Sequence, residues 1–198
     1  MRLADVPVPE TAATAAAREV LVQYSAPALV NHCVRSYLLA ASLAAIDQLE
    51  VDVELLYVAS LLHDIALEPA FDSHTLPFED AGGHVAWVFA AGAGWPAERR
   101  DHAAHAIVAH MRGTDPALDP EGHLLDVATG LDIGGRDADR WPAGLLAELV
   151  AAHPRLDLAE RFTACFRDQA ERKPDSSAAA AVRNGMAERL AANPLDAL

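Results

Sequence analysis

The stretch "YVASLLHDIALEP", residues 57–69, is apolar until His63 and Asp64. An ionised aspartate is rarely buried unless it is paired or bound to a metal. Two readings follow. In one, a helix ends here, Asp64 reaches water and His63 is a hydrogen-bonded core residue. In the other, His63 and Asp64 are neighbouring ligands of a metal ion. Asp132, in "LLDVATGLDIGG", repeats the puzzle: it ends an apolar helix and is followed by two glycines. Asp126 also follows two leucines and is the fallback.

Other histidines take positions that matter. In "NHCVRSYLLA", His32, Arg35, Ser36 and Leu39 are spaced to share one helix face. His84, Trp87, Val88 and Ala91 form an i, i+3, i+4, i+7 stripe, which predicts His84 on a packing face. Ala103, Ile107 and His110 form another, which predicts His110 facing inward. His102 and His105 are i, i+3 neighbours toward a flank. Two ligands without others nearby make a weak zinc site, so both are expected to be solvated. Inward imidazoles with apolar-flanked carboxylates suit Zn, Fe, Mn or Ni without choosing among them.

The elements that must carry these residues are helices. Apolar residues recur at helical spacing, alanine is abundant, and no strand-like alternation runs for any length. Helices are predicted over about 10–24, 28–50, 52–65, 81–92, 96–112, 120–133, 142–152, 156–172 and 177–192. Asp52 is a predicted N-cap. Residues 66–79 form a long loop with Phe71, His74 and Phe78, long enough to cover a site. The tail from Asp175 is amphipathic and expected to fray. The chain of 198 residues is 52% hydrophobic and suits one all-α domain. Its parts are an N-terminal helical extension (1–25), a main domain (26–175) and a C-terminal helix and tail (176–198).

The formal net charge is −14 and Lys173 is the only lysine. Such a surface repels phosphate backbones, which argues against a nucleic-acid polymer as partner. A small-molecule substrate is expected instead, and exposed apolar helix surface is compatible with a homodimer. No window is expected to cross a membrane, the N-terminus lacks a signal peptide's apolar core, and two cysteines make no framework. A reduced, cytoplasmic protein is the expectation.

The order His32, His63-Asp64, Asp132 resembles the H…HD…D signature of the HD-domain superfamily of metal-dependent hydrolases. The blocks "NHCVRSYLLA", "ELLYVASLLHDIAL", "PFEDAGGHVAWVF", "AIVAHM" and "LLDVATGLDIGG" look like those of its cyanamide hydratase-like branch. The resemblance implies a compact helical bundle around a central metal, with His32, His63, Asp64 and Asp132 as ligands. It implies catalytic roles for Asp64 and His110, and substrate contacts from Arg35, Phe78 and Glu79, with Arg35 alternatively holding Asp132 or another carboxylate. A divalent Zn, Fe or Mn ion would activate water, favouring hydration of a nitrile-like or cyanamide-like substrate. His84 departs from the branch pattern, where a small or acidic residue is expected after "GG". With His84 and His110 as ligands of a second ion, the order also resembles binuclear HD proteins, both phosphodiesterases and di-iron oxygenases. Hydrolysis of a nucleotide or phosphomonoester is therefore an alternative, and oxygenation another. A phosphate would want several cations, and only Arg35, with Arg112 in reach, is expected near the ligands.

Overall fold

The computed structural model describes residues 1–198. Ten α-helices and four short 3₁₀ turns make up the fold, with no β-strand. In chain order the helices are α1 Ala12–Tyr24, α2 Pro27–Asp47, α3 Val53–Leu62, α4 Phe78–Gly92 and α5 Ala97–Arg112. They continue with α6 Pro120–Gly134, α7 Ala143–Ala152, α8 Leu158–Arg172, α9 Ser177–Arg183 and α10 Met186–Ala191.

Local chemistry sets the boundaries. Thr11 caps α1 by accepting from the Thr14 amide, and Thr14 reciprocates to the Thr11 amide. Asp52 caps α3, as expected, by accepting from Leu55 N at 3.0 Å. Asp119 caps α6 by accepting from Gly122 N at 2.9 Å, with Pro120 at the first helical position. α2 stops at Asp47, short of the expected residue 50, because Gln48 turns left-handed at φ 56°.

α2 is the central helix. It packs on α3 and α6, and its buried face includes Leu39, Leu43 and Tyr37. Trp141 closes one side, donating from Nε1 to Leu39 O and Ser42 Oγ, each at 3.1 Å. α2 also corrects one expectation: its 21 residues are long and apolar enough, by length and composition, to cross a membrane. Those apolar side chains are spent instead on neighbouring helices, and the helix interior carries His32 and Arg35.

α4 departs most from expectation. It starts at Phe78, not near residue 81, because Pro77 provides the turn into it. Phe78 and Glu79 therefore lie in its first turn and not in a loop. Its inward face is Gly82, Gly83, Ala86 and Ala90, while His84 is exposed, Trp87 is 36% exposed and Val88 67%. The large-residue stripe points outward because small residues let α4 approach its neighbours. A Cβ on Gly82 would lie 3.1 Å from the His63 carbonyl oxygen, and one on Gly83 3.1 Å from Ala104 O.

The tail is packed against the bundle. A left-handed Gly185 (φ 75°) breaks the expected single helix into α9 and α10. Ala178, Ala179, Met186, Leu190 and Leu195 are all buried. Asn193 Nδ2 donates to Leu131 O and Asp132 O, both at 3.0 Å, capping the C-terminal end of α6. Gly135 is required at that junction. Its φ is 68°, and a Cβ there would meet Pro194 Cδ at 2.6 Å.

Gly82→Val should cost about 1–3 kcal/mol through overpacking against the His63 carbonyl. Urea denaturation checks this. An unchanged midpoint would mean that α4 is not seated as closely as described.

Candidate metal centre

α3 ends at Leu62, and the chain leaves helical geometry at Asp64 (φ −105°, ψ 8°) before a 3₁₀ turn at Ile65–Leu67. Successive residues of a continuous helix diverge by about 100°. The break allows His63 and Asp64 to address the same point.

His32 comes to that point from α2 and His110 from α5. All four side chains are buried, His110 being the most accessible at 5%. His32 Nε2 and His63 Nε2 are 3.1 Å apart, and each is 3.2 Å from Asp64 Oδ2. His110 Nε2 stands 3.7 Å from Asp64 Oδ1.

The other ring nitrogens decide what these atoms can be. His63 Nδ1 donates to Ser60 O at 2.7 Å, and His110 Nδ1 donates to Ile107 O. His32 Nδ1 donates to Asp132 Oδ2 at 2.6 Å. Each neutral imidazole has one N–H, and each is committed away from the centre. Three Nε2 lone pairs therefore converge on a carboxylate. Neither oxygen of Asp64 has a hydrogen-bond partner, although both are buried. Such a gathering of acceptors is stable only around a cation. Ligands about 2.0–2.2 Å from a divalent transition metal lie roughly 2.8–3.6 Å from each other in tetrahedral or octahedral geometry. The near-equilateral triangle of His32, His63 and Asp64 fits that requirement.

Asp132 is drawn to the cluster but stands one layer behind it, which corrects the expected four-ligand set. Arg35 explains the position. Its Nε donates to Asp132 Oδ1 and its Nη2 to Oδ2, both at 2.7 Å, and Oδ2 also takes the His32 proton. Arg35 and Asp132 are fully buried. Burial would raise the Asp132 pKa, yet Arg35 holds it well below the usual range. Burial likewise opposes a charged His32, but Asp132 and Asp64 outweigh it and raise its pKa. For Asp64, burial is overcome by His63 and His32 in their protonated forms, which hold the carboxylate below the usual range; with both rings neutral, that role falls to a bound cation. Burial and then His63 push His110 down to about 3, so it stays a neutral imidazole.

A cavity of about 260 Å³ opens onto the triangle. His32, His63, Asp64 and His110 form its floor; Met111, Ile133, Phe162, Phe166 and Met186 form apolar walls; Arg136 and Arg189 stand at its rim. Several sequence expectations are corrected here. Arg35 does not line the cavity, because its guanidinium is committed to Asp132 and, through Nη1, to His153 O at 2.9 Å. Phe78 is a packing residue, with its ring 5.8 Å from that of His110 and 5.4 Å from that of Phe166. Glu79 is buried away from the cavity, accepting from Ser177 Oγ at 2.5 Å and Arg112 Nη2 at 3.3 Å. His84 is exposed on the outer face of α4, so the six-residue binuclear set is not assembled. Residues 66–79 do not line the cavity either. Asp72 fastens that loop to α8 through Gln169 (2.8 Å) and Lys173 (3.1 Å). Arg136, Arg189 and Phe162 escaped sequence reading because α8, α10 and the α6–α7 turn carry no motif that announces a wall or rim.

A family model described as the HD domain matches residues 29–134. Two Saccharomyces cerevisiae proteins, named cyanamide hydratase DDI2 and cyanamide hydratase DDI3, are each 28% identical to this chain over 176 residues. The match covers 85% of this chain and 77% of each yeast protein.

His63→Ala should remove one equivalent of bound divalent metal, counted by elemental analysis of protein purified without chelators or a His-tag. Retention of the full count would refute the triangle as the ligand set. Arg35→Met should destabilise the fold by about 3–5 kcal/mol, since it leaves Asp132 buried without its cation. Thermal melts of the metal-free protein check this separately from metal loss.

Proposed function

The chain belongs to the HD-domain family of metal-dependent hydrolases and hydratases, and on that premise we propose that it hydrates a small nitrile-like substrate such as cyanamide. The observation that carries this reading is the facial three-ligand triangle at the floor of a small cavity with apolar walls. The similarity to yeast proteins named cyanamide hydratase supports the substrate class.

His32, His63 and Asp64 would hold the divalent ion, which would supply Lewis-acid activation of water and of the substrate when bound. The chain's own residues do the rest. The Asp132–His32 hydrogen bond keeps the His32 lone pair aimed at the ion, much as outer partners orient metal-bound histidines elsewhere. Asp64 Oδ1, ionised and without a hydrogen-bond partner, faces the open side and can take a proton from the attacking water. His110 Nε2, 3.7 Å away, stays neutral and offers a lone pair that can orient the attacking water by accepting its hydrogen bond. In the hydration the water oxygen bonds to the nitrile carbon as one C–N π bond breaks, one water proton passes by way of Asp64 to the nitrile nitrogen, and the remaining hydroxyl proton then moves from oxygen to that nitrogen to give the urea-type product. Phe162, Phe166 and Met111 exclude bulk water and limit substrate size.

Phosphomonoester hydrolysis is the second reading: Arg136 and Arg189 border the cavity, although Arg136 is held by Asp126 at 2.9 Å and Arg189 by the Asn184 carbonyl, and both would have to turn inward to meet a phosphate. The oxygenase alternative loses its support with His84 on the outer face.

The metal-loaded protein should release urea from cyanamide, and His110→Ala should lower kcat about 10²-fold, the usual cost of misplacing a reacting group. Inertness toward cyanamide and small nitriles, with phosphate released from p-nitrophenyl phosphate, would replace hydration by phosphoester hydrolysis.

A further inference from the structure

We infer that the chain holds a second divalent metal, of the zinc class, at His102, Asp119 and Glu121, with His105 beside Asp119 as an outer neighbour. Spacing alone leaves His102 and His105 as two ligands on a helix flank. Folding brings two carboxylates to them from the start of α6. His102 Nε2 lies 3.1 Å from Asp119 Oδ1 and 3.3 Å from Glu121 Oε2. His105 Nε2 lies 3.5 Å from Asp119 Oδ2. The His102 separations fall in the roughly 2.8–3.6 Å range expected between ligands that share one ion, and the ligand atoms of His102, Asp119 and Glu121 all lie within 4.8 Å of one another, a group His105 does not join.

The protons available do not satisfy this cluster. Both carboxylate side chains are only 4% accessible, and Asp119 Oδ2 and Glu121 Oε2 have no hydrogen-bond partner. The remaining oxygens are committed to backbone: Asp119 Oδ1 accepts from Gly122 N at 2.9 Å, and Glu121 Oε1 accepts from Asp52 N at 2.6 Å. One N–H on His102 can serve Asp119 or Glu121 but not both well. Arg99, a guanidinium beside the cluster, is taken by Asp52 and Glu54, each at 2.7 Å. Two buried carboxylates thus face the His102 proton and, at a long 3.5 Å, that of His105, a deficit that a divalent cation removes. An imidazole with two carboxylates suits zinc and its neighbours better than calcium or magnesium. The exposed His105 leaves an entry path from solvent.

The position suggests what such an ion would do. His102 precedes His110 by eight residues on α5, about 12 Å of helix. Asp119 and Glu121 start α6, whose other end carries Asp132. Glu121 is bonded to the cap of α3, whose other end carries His63 and Asp64. The ion would clamp together the distal ends of three helices that deliver the first centre.

The test titrates zinc into the metal-free, untagged protein and counts bound ions after equilibrium dialysis. Wild type should bind two, His63→Ala one, and His63→Ala with Asp119→Asn none. Asparagine is itself a good N-cap, so this change removes charge while keeping the start of α6. His102→Gln in the same background provides a second variant, and circular dichroism confirms folding of both. Zinc should raise the Tm of His63→Ala and leave the Tm of the double variants unmoved. A His63→Ala chain that binds no zinc, or whose zinc count survives both Asp119→Asn and His102→Gln, would overturn the second site. The first centre is judged independently, by the equivalent lost on changing His63.

Discussion

A single proton arrangement underlies the centre: every histidine has its N–H pointed away from it. The cost of achieving this differs by residue. His63 and His110 use backbone carbonyls one helical turn back, which requires only that each helix bend its last turn suitably. His32, in the middle of α2, has no free carbonyl to use, because helix-interior carbonyls are already bonded. It needs a side-chain acceptor, and Asp132 supplies one. A buried carboxylate then needs a cation, and Arg35 supplies it from the next turn of the same helix. The fully buried Arg35–Asp132 pair is thus weak evidence of stabilisation in itself. It is better understood as the means by which α2 and α6 fix one imidazole's tautomer.

The same chain of requirements reaches the surface. Arg155 donates to the Asp132 backbone carbonyl and, through Nε, to Asp196 Oδ1 at 2.5 Å. Asn193 donates to that carbonyl as well. Helix carbonyls near a C-terminus are orphaned and must find donors. Those of α6 find them in the α7–α8 connection and in the tail, so two remote segments converge behind one aspartate.

Much of this was legible in the sequence. Helical periodicity and caps such as Asp52 located most helices, and the placement of His32, His63, Asp64 and His110 followed from apolar flanks and motif order. Failures had a common physical origin. Periodicity rewards large apolar residues, whereas α4 packs through Gly82, Gly83, Ala86 and Ala90, so His84 was put on the wrong side. For Arg35 two roles stood open, contacting substrate or holding Asp132; the structure shows the second, across 97 positions that one helix face cannot span by itself. The tail looked loose because its alanines bury little area each, and its anchoring depends on Asn193 meeting two carbonyls of α6. Asp119 and Glu121 were invisible as partners of His102 for the same reason: turns bring them there, and no periodicity records it.

The seating of Asn193 on α6 has a consequence for how the polypeptide is made. Domains are generally built from the N-terminus as the ribosome delivers residues at about 5–20 per second. The four residues at the centre are all delivered by position 110. Asp132 follows soon after, but the groups that complete the end of its helix do not arrive until Arg155 and then Asn193. A nascent chain therefore carries its ligands for tens of residues before the helix behind them is finished. Any ion captured early would be held by a scaffold whose α6 still frays at the aspartate that sets the His32 proton.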